Sequence, residues 1–527
     1  MTNYSLVDEA TAGLRSEIDG HLPVVTIPGR LTPADLEVAA QGPVQVDIAE
    51  TAMKRVAECH TFMESCVAEG REIYGMTTGF GSLVDFAGRS SAAEQCNGLL
   101  DFLKAGHGPD LPPEVVRATL LARLWSLTHG RSAISPDALE ALAAVLRTPF
   151  TPAVPQWGSV GASGDLIPLT YVVRALQGQG HAYLDGTRIP AAEALKRAGL
   201  EPLQLAGRDA LALVNGTSVT AAAGGLALAS LTRSLNTSIV LTALLADLLG
   251  SDAGFAAAPL MEAFGHRHTV EVGARLRDLL KGATKSGSRP LQEPYSIRCT
   301  PQLIGAAAGT LDYASSVIGD DLNGISDNPL FFAEDDLITH GGNFFSQPVA
   351  FAADSMSTVA AQLGNLAERQ LDLLTDTHRT GGLPPMLASA PGRQHGVVGL
   401  QLAATATVVA MRRAAVPVSD QSLPTNGHNQ DVVPMGTQAA LTALEQAGKL
   451  RWLHGALAVA LRQVAYVADR GATAPTCGSA LERLSEIVPP IDPDRPLDID
   501  VQRATELLED LSAAWSPRNG LAGIGSL

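Results

Sequence analysis

The chain has 527 residues, of which 46% are hydrophobic and 17% are charged, and this supply of apolar side chains is ample for a large buried core. Its formal net charge is −17 at pH 7, and this acidic balance argues against nucleic acid or an anionic membrane as a partner. The five cysteines are an odd number, widely spaced, without a Cys-x-x-Cys pair. This pattern disfavours a disulfide framework and a zinc site, and it fits a cytoplasmic protein.

The N-terminal region, residues 1–20, carries acidic side chains and no apolar core, so no signal peptide is predicted. Residues 1–30 are predicted to form a loose tail. Residues 210–232 contain no charged side chain, which on length and composition could indicate a membrane span. The polar turn 215–218 and the glycine pair 224–225 interrupt this stretch. They favour a buried core helix that follows a turn.

Helical patterns dominate from about Thr32 onward. Alanine and leucine are abundant, apolar residues recur at every third or fourth position, and aromatic residues amount to only 4%. Strand signals are short, and the clearest are at 24–27 and 181–184. The predicted helices cover residues 114–126, 137–146, 219–249, 355–375, 399–416 and 439–470, followed by a C-terminal helical region that ends near Trp515.

A loop rich in proline and glycine separates two of the helical regions, and its residues 158–168 read Gly-Ser-Val-Gly-Ala-Ser-Gly-Asp-Leu-Ile-Pro. Its central tripeptide, Ala162-Ser163-Gly164, can form an electrophile from its own main chain. The amide nitrogen of Gly164 can attack the carbonyl carbon of Ala162, because glycine has no Cβ to block the approach. Loss of one water closes a five-membered ring, and loss of the Ser163 hydroxyl as a second water leaves a 4-methylidene-imidazol-5-one. Such a ring would act as an internal cofactor.

By itself, Ala-Ser-Gly is more typical of an ordinary glycine turn. It is not a phosphate-binding loop, because no Gly-Lys-Ser/Thr follows. It is not a nucleophile elbow either, because Asp165 stands where that motif needs glycine. Other segments of the chain therefore decide the interpretation.

Several further motifs occur in a fixed order along the chain. With Ala-Ser-Gly-Asp-Leu they resemble the aromatic amino acid ammonia-lyase and aminomutase family, which includes histidine, phenylalanine and tyrosine ammonia-lyases. The resemblance extends from about residue 30 to beyond residue 455. The motifs that carry it are Tyr-Gly-Met-Thr-Thr-Gly-Phe-Gly at 74–81, Asn-Gly-Thr-Ser at 215–218, Gln-Glu-Pro-Tyr-Ser-Ile-Arg at 292–298, Ser-Asp-Asn-Pro-Leu at 326–330, Gly-Gly-Asn-Phe at 341–344 and His-Asn-Gln-Asp at 428–431.

The resemblance implies a mainly α fold, a long bundle of parallel and antiparallel helices of the ammonia-lyase/fumarase-like superfold with a small mixed N-terminal part. After the tail we predict a domain over 31–214 that bears the prosthetic group, a central bundle over 215–470 and a helical segment over 471–527. The resemblance also implies a homotetramer whose active sites are shared between subunits. The expected partner is a small amino acid substrate.

The resemblance assigns Tyr74 as the catalytic base that takes the β-hydrogen of the substrate. An unperturbed phenol has a pKa of about 10, so its anion needs positive charge or hydrogen bonds to work near neutral pH. The glycines at 75, 79 and 81 favour a loop that closes over the substrate.

A second group of residues is expected to hold the substrate. Tyr295 and Arg298 are three apart and would share one helix face after Pro294, and an arginine fork suits a carboxylate. By the resemblance Arg298 binds the substrate carboxylate, with Tyr295 as a catalytic neighbour and Gln292 beside it. By the same resemblance, Asn215 forms a hydrogen bond near the substrate carboxylate and the electrophile. Phe344 packs against the prosthetic ring.

Residues at two places in the sequence indicate which substrate the enzyme would select. Phe102-Leu103 matches the Phe-Leu of phenylalanine lyases, where tyrosine lyases carry His-Leu and histidine lyases Ser-His. Gln430 is neutral where histidine lyases carry glutamate. Both positions favour phenylalanine. The chain also lacks the extra length of the plant enzymes of this family, which favours a bacterial type of enzyme. The same helix departs from the family pattern at 95–98, and Asp101 beside the selectivity pair is unusual.

Several alternatives stay open at this point. An aminomutase would use the same site to make a β-amino acid, and a tyrosine or histidine ammonia-lyase would differ only in the pocket. A non-catalytic helical scaffold is disfavoured, because the candidate catalytic residues occur together. The histidine-containing segments 266–268 and 428–431 lack the ligand spacing of a metal site, so no metal is predicted.

Overall fold

The computed structural model describes residues 22–89 and 91–514 and confirms a mainly α fold. The helices are α1 Pro33–Gln41, α2 Glu50–Ala68, α3 Ala92–Leu103, α4 Pro113–Leu127, α5 Pro136–Leu146, α6 Leu166–Leu176, α7 Ala191–Ala198, α8 Asp209–Val214, α9 Ser218–Leu249, α10 Ala258–Phe264, α11 Arg267–Leu279, α12 Tyr295–Arg298, α13 Thr300–Asn323, α14 Gln347–Leu374, α15 Thr377–Thr380, α16 Val398–Ala414, α17 Gly436–Val467, α18 Pro475–Ile487 and α19 Asp498–Ala514.

The described strands are β1 Val24–Ile27, β2 Gln45–Ile48, β3 His107–Asp110, β4 Thr151–Pro152, β5 Pro155–Trp157, β6 His181–Leu184, β7 Thr187–Pro190, β8 Leu330–Phe332 and β9 Leu337–Thr339. They form four small sheets. β1 pairs in parallel with β2, β3 pairs with β5, β4-β6-β7 form a three-stranded antiparallel sheet, and β8 and β9 form a hairpin. Most of these strands lie before residue 191, as expected for a small mixed N-terminal part.

All the helices and strands singled out in the sequence are present, with ends shifted by a few residues in most cases. α5 begins at Pro136 after Ser135, whose hydroxyl caps the helix by accepting a hydrogen bond from the N–H of Ala138. The largest shift is in α14, which starts at Gln347 instead of 355. Of the predicted tail, residues 1–21 lie outside the described residues, and regular structure starts within its remainder at β1. The end near Trp515 also lies outside them.

By contacts the chain groups into two units. The first unit holds the described residues up to Ala229 together with Ser316–Asp354 and Pro417–Leu441. The second holds Ser230–Ser315, Ser355–Val416 and the described residues from Thr442 onward. Each unit is built from separate stretches of chain. The consecutive domains over 31–214, 215–470 and 471–527 stay a prediction.

In the first unit, α4 runs through the core, and every one of its residues from Val115 to Leu127 is buried. Arg117 is among them. Its guanidinium donates to the main-chain oxygens of Ala39, Gly42, Leu146 and Thr148, so burial leaves its charge solvated by carbonyl groups.

In the second unit, buried polar side chains satisfy the main chain in a similar way. Asp247 accepts hydrogen bonds from the N–H groups of Thr473 and Ala474, and Gln463 bonds the main chain at Leu387 and Ile491. These bonds tie distant loops to the long helices.

Residues Asp209–Leu249 are long and apolar enough to cross a membrane by length and composition, and the apolar window of this stretch is entirely buried within the protein. Asn215, Gly216 and Thr217 separate α8 from α9. The stretch thus forms a core helix after a polar turn, as its sequence indicates.

Candidate active site

A cavity of about 1130 Å³ opens in the first unit. It is bounded by the loop that follows α2, by α3, by the loop before α6 and by the turn after α8, with contributions from the loops before α14 and α17. The predicted site residues that line it are Tyr74, Phe102, Leu103, Ser163, Gly164, Asn215, Phe344 and Gln430.

The Ala162-Ser163-Gly164 tripeptide lies at the wall of this cavity in a tight reversal of the chain. Gly161 and Gly164 pair as an isolated β-bridge, and both have positive φ, +68° and +65°. A Cβ on Gly164 would lie 2.4 Å from the oxygen of Gly216, so only glycine fits there. The N–H of Gly164 donates to the main-chain oxygen of Phe344 at 3.0 Å. Both glycines are therefore needed for the reversal.

Asp165 directly follows the tripeptide, and its side chain is fully buried. Its carboxylate accepts 2.9 Å hydrogen bonds from the N–H groups of Val219 and Thr220 at the start of α9, where a helix favours negative charge. It also accepts from the hydroxyls of Ser159 (2.9 Å), Thr220 (3.0 Å) and Thr437 (2.6 Å). Burial raises the pKa of Asp165, and these hydrogen bonds oppose that shift.

The sequence alone does not reveal a role for Asp165 or for its hydroxyl partners. The one available signal was the position of Asp165 immediately after the tripeptide. Its partners are distant in sequence, and Thr437 is 272 positions away. Only the folded chain identifies them.

Gln430 contacts Ser163 directly. Its Nε2 donates to Ser163 Oγ at 2.6 Å, and its Oε1 accepts from the Thr425 hydroxyl at 2.5 Å. The second bond fixes the amide orientation, so the donor end of Gln430 faces the tripeptide.

Asn215 offers an unused acceptor at the same place. Its Nδ2 donates to the main-chain oxygen of Asn328 at 2.8 Å, whereas its Oδ1 is buried without a hydrogen-bond partner among the described residues. A buried unpaired oxygen is costly unless a ligand donor satisfies it. The Asn215 side chain thus suits a bound amino group.

Tyr74 faces the cavity from the glycine-rich loop. Its phenolic oxygen accepts a hydrogen bond from the N–H of Gly81 at 2.8 Å, and its ring packs edge-on against Phe80 with centroids 6.2 Å apart. Burial raises the pKa of Tyr74, while the Gly81 N–H and the positive charge of Arg208 lower it. The phenol is therefore protonated at neutral pH in this state.

Two side chains anchor the Tyr74 loop. Gln95 of α3 donates from Nε2 to the main-chain oxygens of Gly75 and Thr78, both at 3.1 Å. The main-chain N–H of Tyr74 donates to Nε2 of His340 at 3.3 Å. Burial and Arg208 lower the pKa of His340, which favours the neutral ring that accepts this bond. Neither anchor was recognised from the sequence.

The two residues predicted to set selectivity, Phe102 and Leu103, lie on the cavity side of α3. Phe102 stacks at a tilt on Phe80, with ring centroids 5.9 Å apart, and Leu103 is buried beside it. The unusual Asp101 is absent from the cavity lining and forms a salt bridge with Arg174. Its charge thus stays out of the pocket wall.

Gln292, Tyr295 and Arg298 belong to the second unit and do not line the cavity of the first. Pro294 precedes α12, and the Arg298 guanidinium lies 4.6 Å from the centroid of the Tyr295 ring, which confirms that the two share a face. Tyr295 is 71% exposed, and the Nε of Arg298 is buried without a hydrogen-bond partner among the described residues.

No group of three or more His, Cys, Asp or Glu side chains within residues 22–89 and 91–514 is arranged to hold a metal ion. In the histidine-containing segment 266–268, the His268 ring lies 3.1 Å from the Glu271 carboxylate and 3.7 Å from that of Asp312.

Comparison with known proteins identifies the family. The sequence profile described as aromatic amino acid lyase matches residues 31–488. A tyrosine ammonia-lyase from Cereibacter sphaeroides is 37% identical, covering 92% of this chain and 98% of its own length. A histidine ammonia-lyase from Symbiobacterium thermophilum is 35% identical, covering 92% and 96%.

Solved structures agree with the sequence relatives. The phenylalanine aminomutase of Pantoea agglomerans superposes with a TM-score of 0.86 at 27% identity, covering 92% of this chain and 99% of its own. The tyrosine aminomutase of Streptomyces globisporus superposes with a TM-score of 0.87 at 32% identity, covering 94% and 98%. Ammonia-lyase or aminomutase activity on aromatic amino acids, and thus carbon–nitrogen lyase chemistry, follows from these matches. The chain belongs to the aromatic amino acid ammonia-lyase and aminomutase family.

Proposed function

We propose that this enzyme eliminates ammonia from L-phenylalanine and releases trans-cinnamate. The observation that carries the choice of substrate is the apolar wall of Phe80, Phe102 and Leu103 in the cavity that holds Ser163. Such a wall offers no partner to a phenolic hydroxyl or an imidazole N–H, and a buried unpaired polar group costs about 1–3 kcal/mol. Gln430 is neutral and so lacks the charge that would attract an imidazolium.

We infer that the electrophile is the 4-methylidene-imidazol-5-one formed from Ala162, Ser163 and Gly164. The tight reversal between Gly161 and Gly164 supports this, because it holds the main chain folded back on itself across the tripeptide. Once formed, the ring would accept the substrate amino group and make it a better leaving group. The buried Asp165 network holds the backbone around it.

The other residues then have separate tasks. Tyr74 removes the β-hydrogen once its phenol is deprotonated, and the Gly81 N–H stabilises the resulting anion. Asn215 Oδ1 accepts a hydrogen bond from the substrate amine. Phe344 and the aromatic wall exclude water. Arg298, with Tyr295 and Gln292, holds the substrate carboxylate.

We further propose that another subunit supplies Arg298, Tyr295 and Gln292 within a homotetramer. The second unit carries exposed apolar side chains that an assembly would cover, including Leu291 and Leu402 at 99% and 67% exposure. Light scattering should therefore give the mass of four chains. A fully active monomer would contradict the proposal.

Complementation tests the sharing of sites. Tyr74→Phe and Arg298→Gln should each be nearly inactive, while co-expression of the two should restore a measurable fraction of wild-type activity, because mixed tetramers contain some intact sites. Tyr74→Phe with Ser163→Ala is the matched control and should not complement, since both residues line one cavity of one chain. Equal recovery in both pairs, or in neither, would contradict sharing.

Steady-state kinetics on three amino acids test the substrate. We expect a higher kcat/KM for phenylalanine than for tyrosine or histidine, with roughly 10²-fold discrimination against tyrosine, the usual limit for rejecting an added hydroxyl in an apolar pocket. Phe102→His should raise tyrosine turnover by giving the phenol a hydrogen-bond partner. Asp101 lies outside the cavity, so Asp101→Asn should leave the ratio of kcat/KM for phenylalanine to kcat/KM for tyrosine unchanged.

The products must be separated in the same assay. Cinnamate as the main early product supports the lyase, and β-phenylalanine would move the assignment to an aminomutase. Faster turnover of tyrosine or histidine by the wild type would overturn the substrate proposal.

A further inference from the structure

Arg89 is the one charged side chain among the described residues that line the cavity. Its main-chain N–H donates to Gln95 Oε1 at 3.0 Å, and its Nη1 donates to the main-chain oxygen of Glu94 at 3.2 Å. No carboxylate of the described residues forms a salt bridge with it. A cation in this position, with donors left over, is suited to an anion that arrives with a ligand.

The guanidinium of Arg89 lies directly over Gly98. Gly98 lies inside α3, where glycine is less favourable than alanine. Its φ is not positive, so the backbone conformation does not require glycine at this position. A Cβ there would lie 2.2 Å from Cζ of Arg89 and 2.5 and 2.6 Å from its two terminal nitrogens. The missing side chain thus makes room for the guanidinium on the helix surface.

The Arg89 guanidinium lies next to the apolar wall that is proposed to contact the substrate ring. Gly98 and Phe102 are four residues apart on α3 and share the face that lines the cavity. A guanidinium over Gly98 therefore lies about one helical turn along the wall from the Phe102 ring.

We propose that Arg89 determines specificity by binding a carboxylate-type anion on the aromatic ring of the substrate. The substrate class then includes phenylalanine derivatives with an acidic ring substituent. The inference rests on the proposed function. The planar fork of arginine pairs with a carboxylate through two parallel hydrogen bonds, which gives direction as well as charge.

The test compares 4-carboxy-L-phenylalanine with its neutral near-isostere, 4-carbamoyl-L-phenylalanine, and repeats the comparison with the 3-substituted pair. The ratio of kcat/KM for the acid to that for the amide should fall about tenfold in Arg89→Gln for at least one ring position, as expected for loss of a charge-assisted hydrogen-bonded pair. Arg89→Lys should lie in between, and the wild-type ratio should decrease with added salt.

Gly98→Ala is the second variant, since an added Cβ displaces the guanidinium while alanine favours the helix. Like Arg89→Gln, it should lower the ratio of kcat/KM for the acid to kcat/KM for the amide. Arg197→Gln, an exposed arginine of α7 outside the cavity, is the control and should leave the ratio unchanged.

Phenylalanine, measured beside the two pairs, separates the outcomes. An unchanged ratio in Arg89→Gln, with phenylalanine still turned over, would overturn this inference and leave the proposed function standing. An equal loss on all substrates would also overturn it, because Arg89 would then act on a group common to every amino acid. Wild-type enzyme without any turnover of phenylalanine would overturn the proposed function and this inference with it.

Discussion

Ser163→Ala is expected to lose activity by roughly a thousandfold or more, as enzymes do when the group that bonds covalently to the substrate is removed. Alanine has no hydroxyl to leave as the second water, so the methylidene group cannot form. The main-chain reversal between Gly161 and Gly164 does not depend on the serine hydroxyl, and the fold should survive.

Intact mass provides the decisive readout, since it does not depend on activity. Wild-type protein should be lighter than its sequence by two water molecules, whereas Ser163→Ala should lack that deficit and lose at most one. Ser485→Ala, whose hydroxyl bonds only within α18, should keep both the deficit and the activity. Wild-type protein with the full sequence mass would refute an internal prosthetic group.

Tyr74→Phe should reduce kcat/KM by about 10²- to 10⁴-fold, the usual contribution of a general base. The substitution keeps the ring that packs against Phe80 and removes only the phenolic oxygen and its bond from Gly81. A large loss would therefore reflect proton transfer and not packing. Tyr183→Phe, which removes a hydroxyl bonded to Asp110 away from the cavity, should stay close to wild type.

The pH profile provides a second test of Tyr74. Because burial raises the pKa of this phenol, it is protonated at neutral pH, and the basic form becomes more populated as pH rises. Wild-type kcat/KM should therefore increase toward alkaline pH, and Tyr74→Phe should lack this increase. A variant that keeps more than a tenth of the activity and the same alkaline limb would exclude Tyr74 as the base.

Several features could be predicted from the sequence because they depend on residues close together in the chain. The start of α5 follows from Ser135 and Pro136, and the shared face of Tyr295 and Arg298 follows from their spacing. The three residues proposed to form the electrophile, Ala162, Ser163 and Gly164, are consecutive, so their chemistry could be proposed without knowledge of the fold. The buried helix α9 follows from its long uncharged stretch.

Other features depend on contacts between distant parts of the chain. The bond from Gln430 to Ser163 spans 267 positions, and the network around Asp165 joins the starts of α9 and α17. Asp101 and Phe102 are neighbours in sequence but point in different directions, because successive helix residues are rotated by about 100°.

The sequence by itself thus determined the family, the helical pattern and the position of the tripeptide proposed to be reactive, since these depend on local residue order and on motifs. The tertiary structure decided which polar groups stabilise the buried Asp165 carboxylate, which face of α3 meets the cavity and where the Arg89 guanidinium lies. These outcomes follow from burial and hydrogen bonding between segments that only folding brings together.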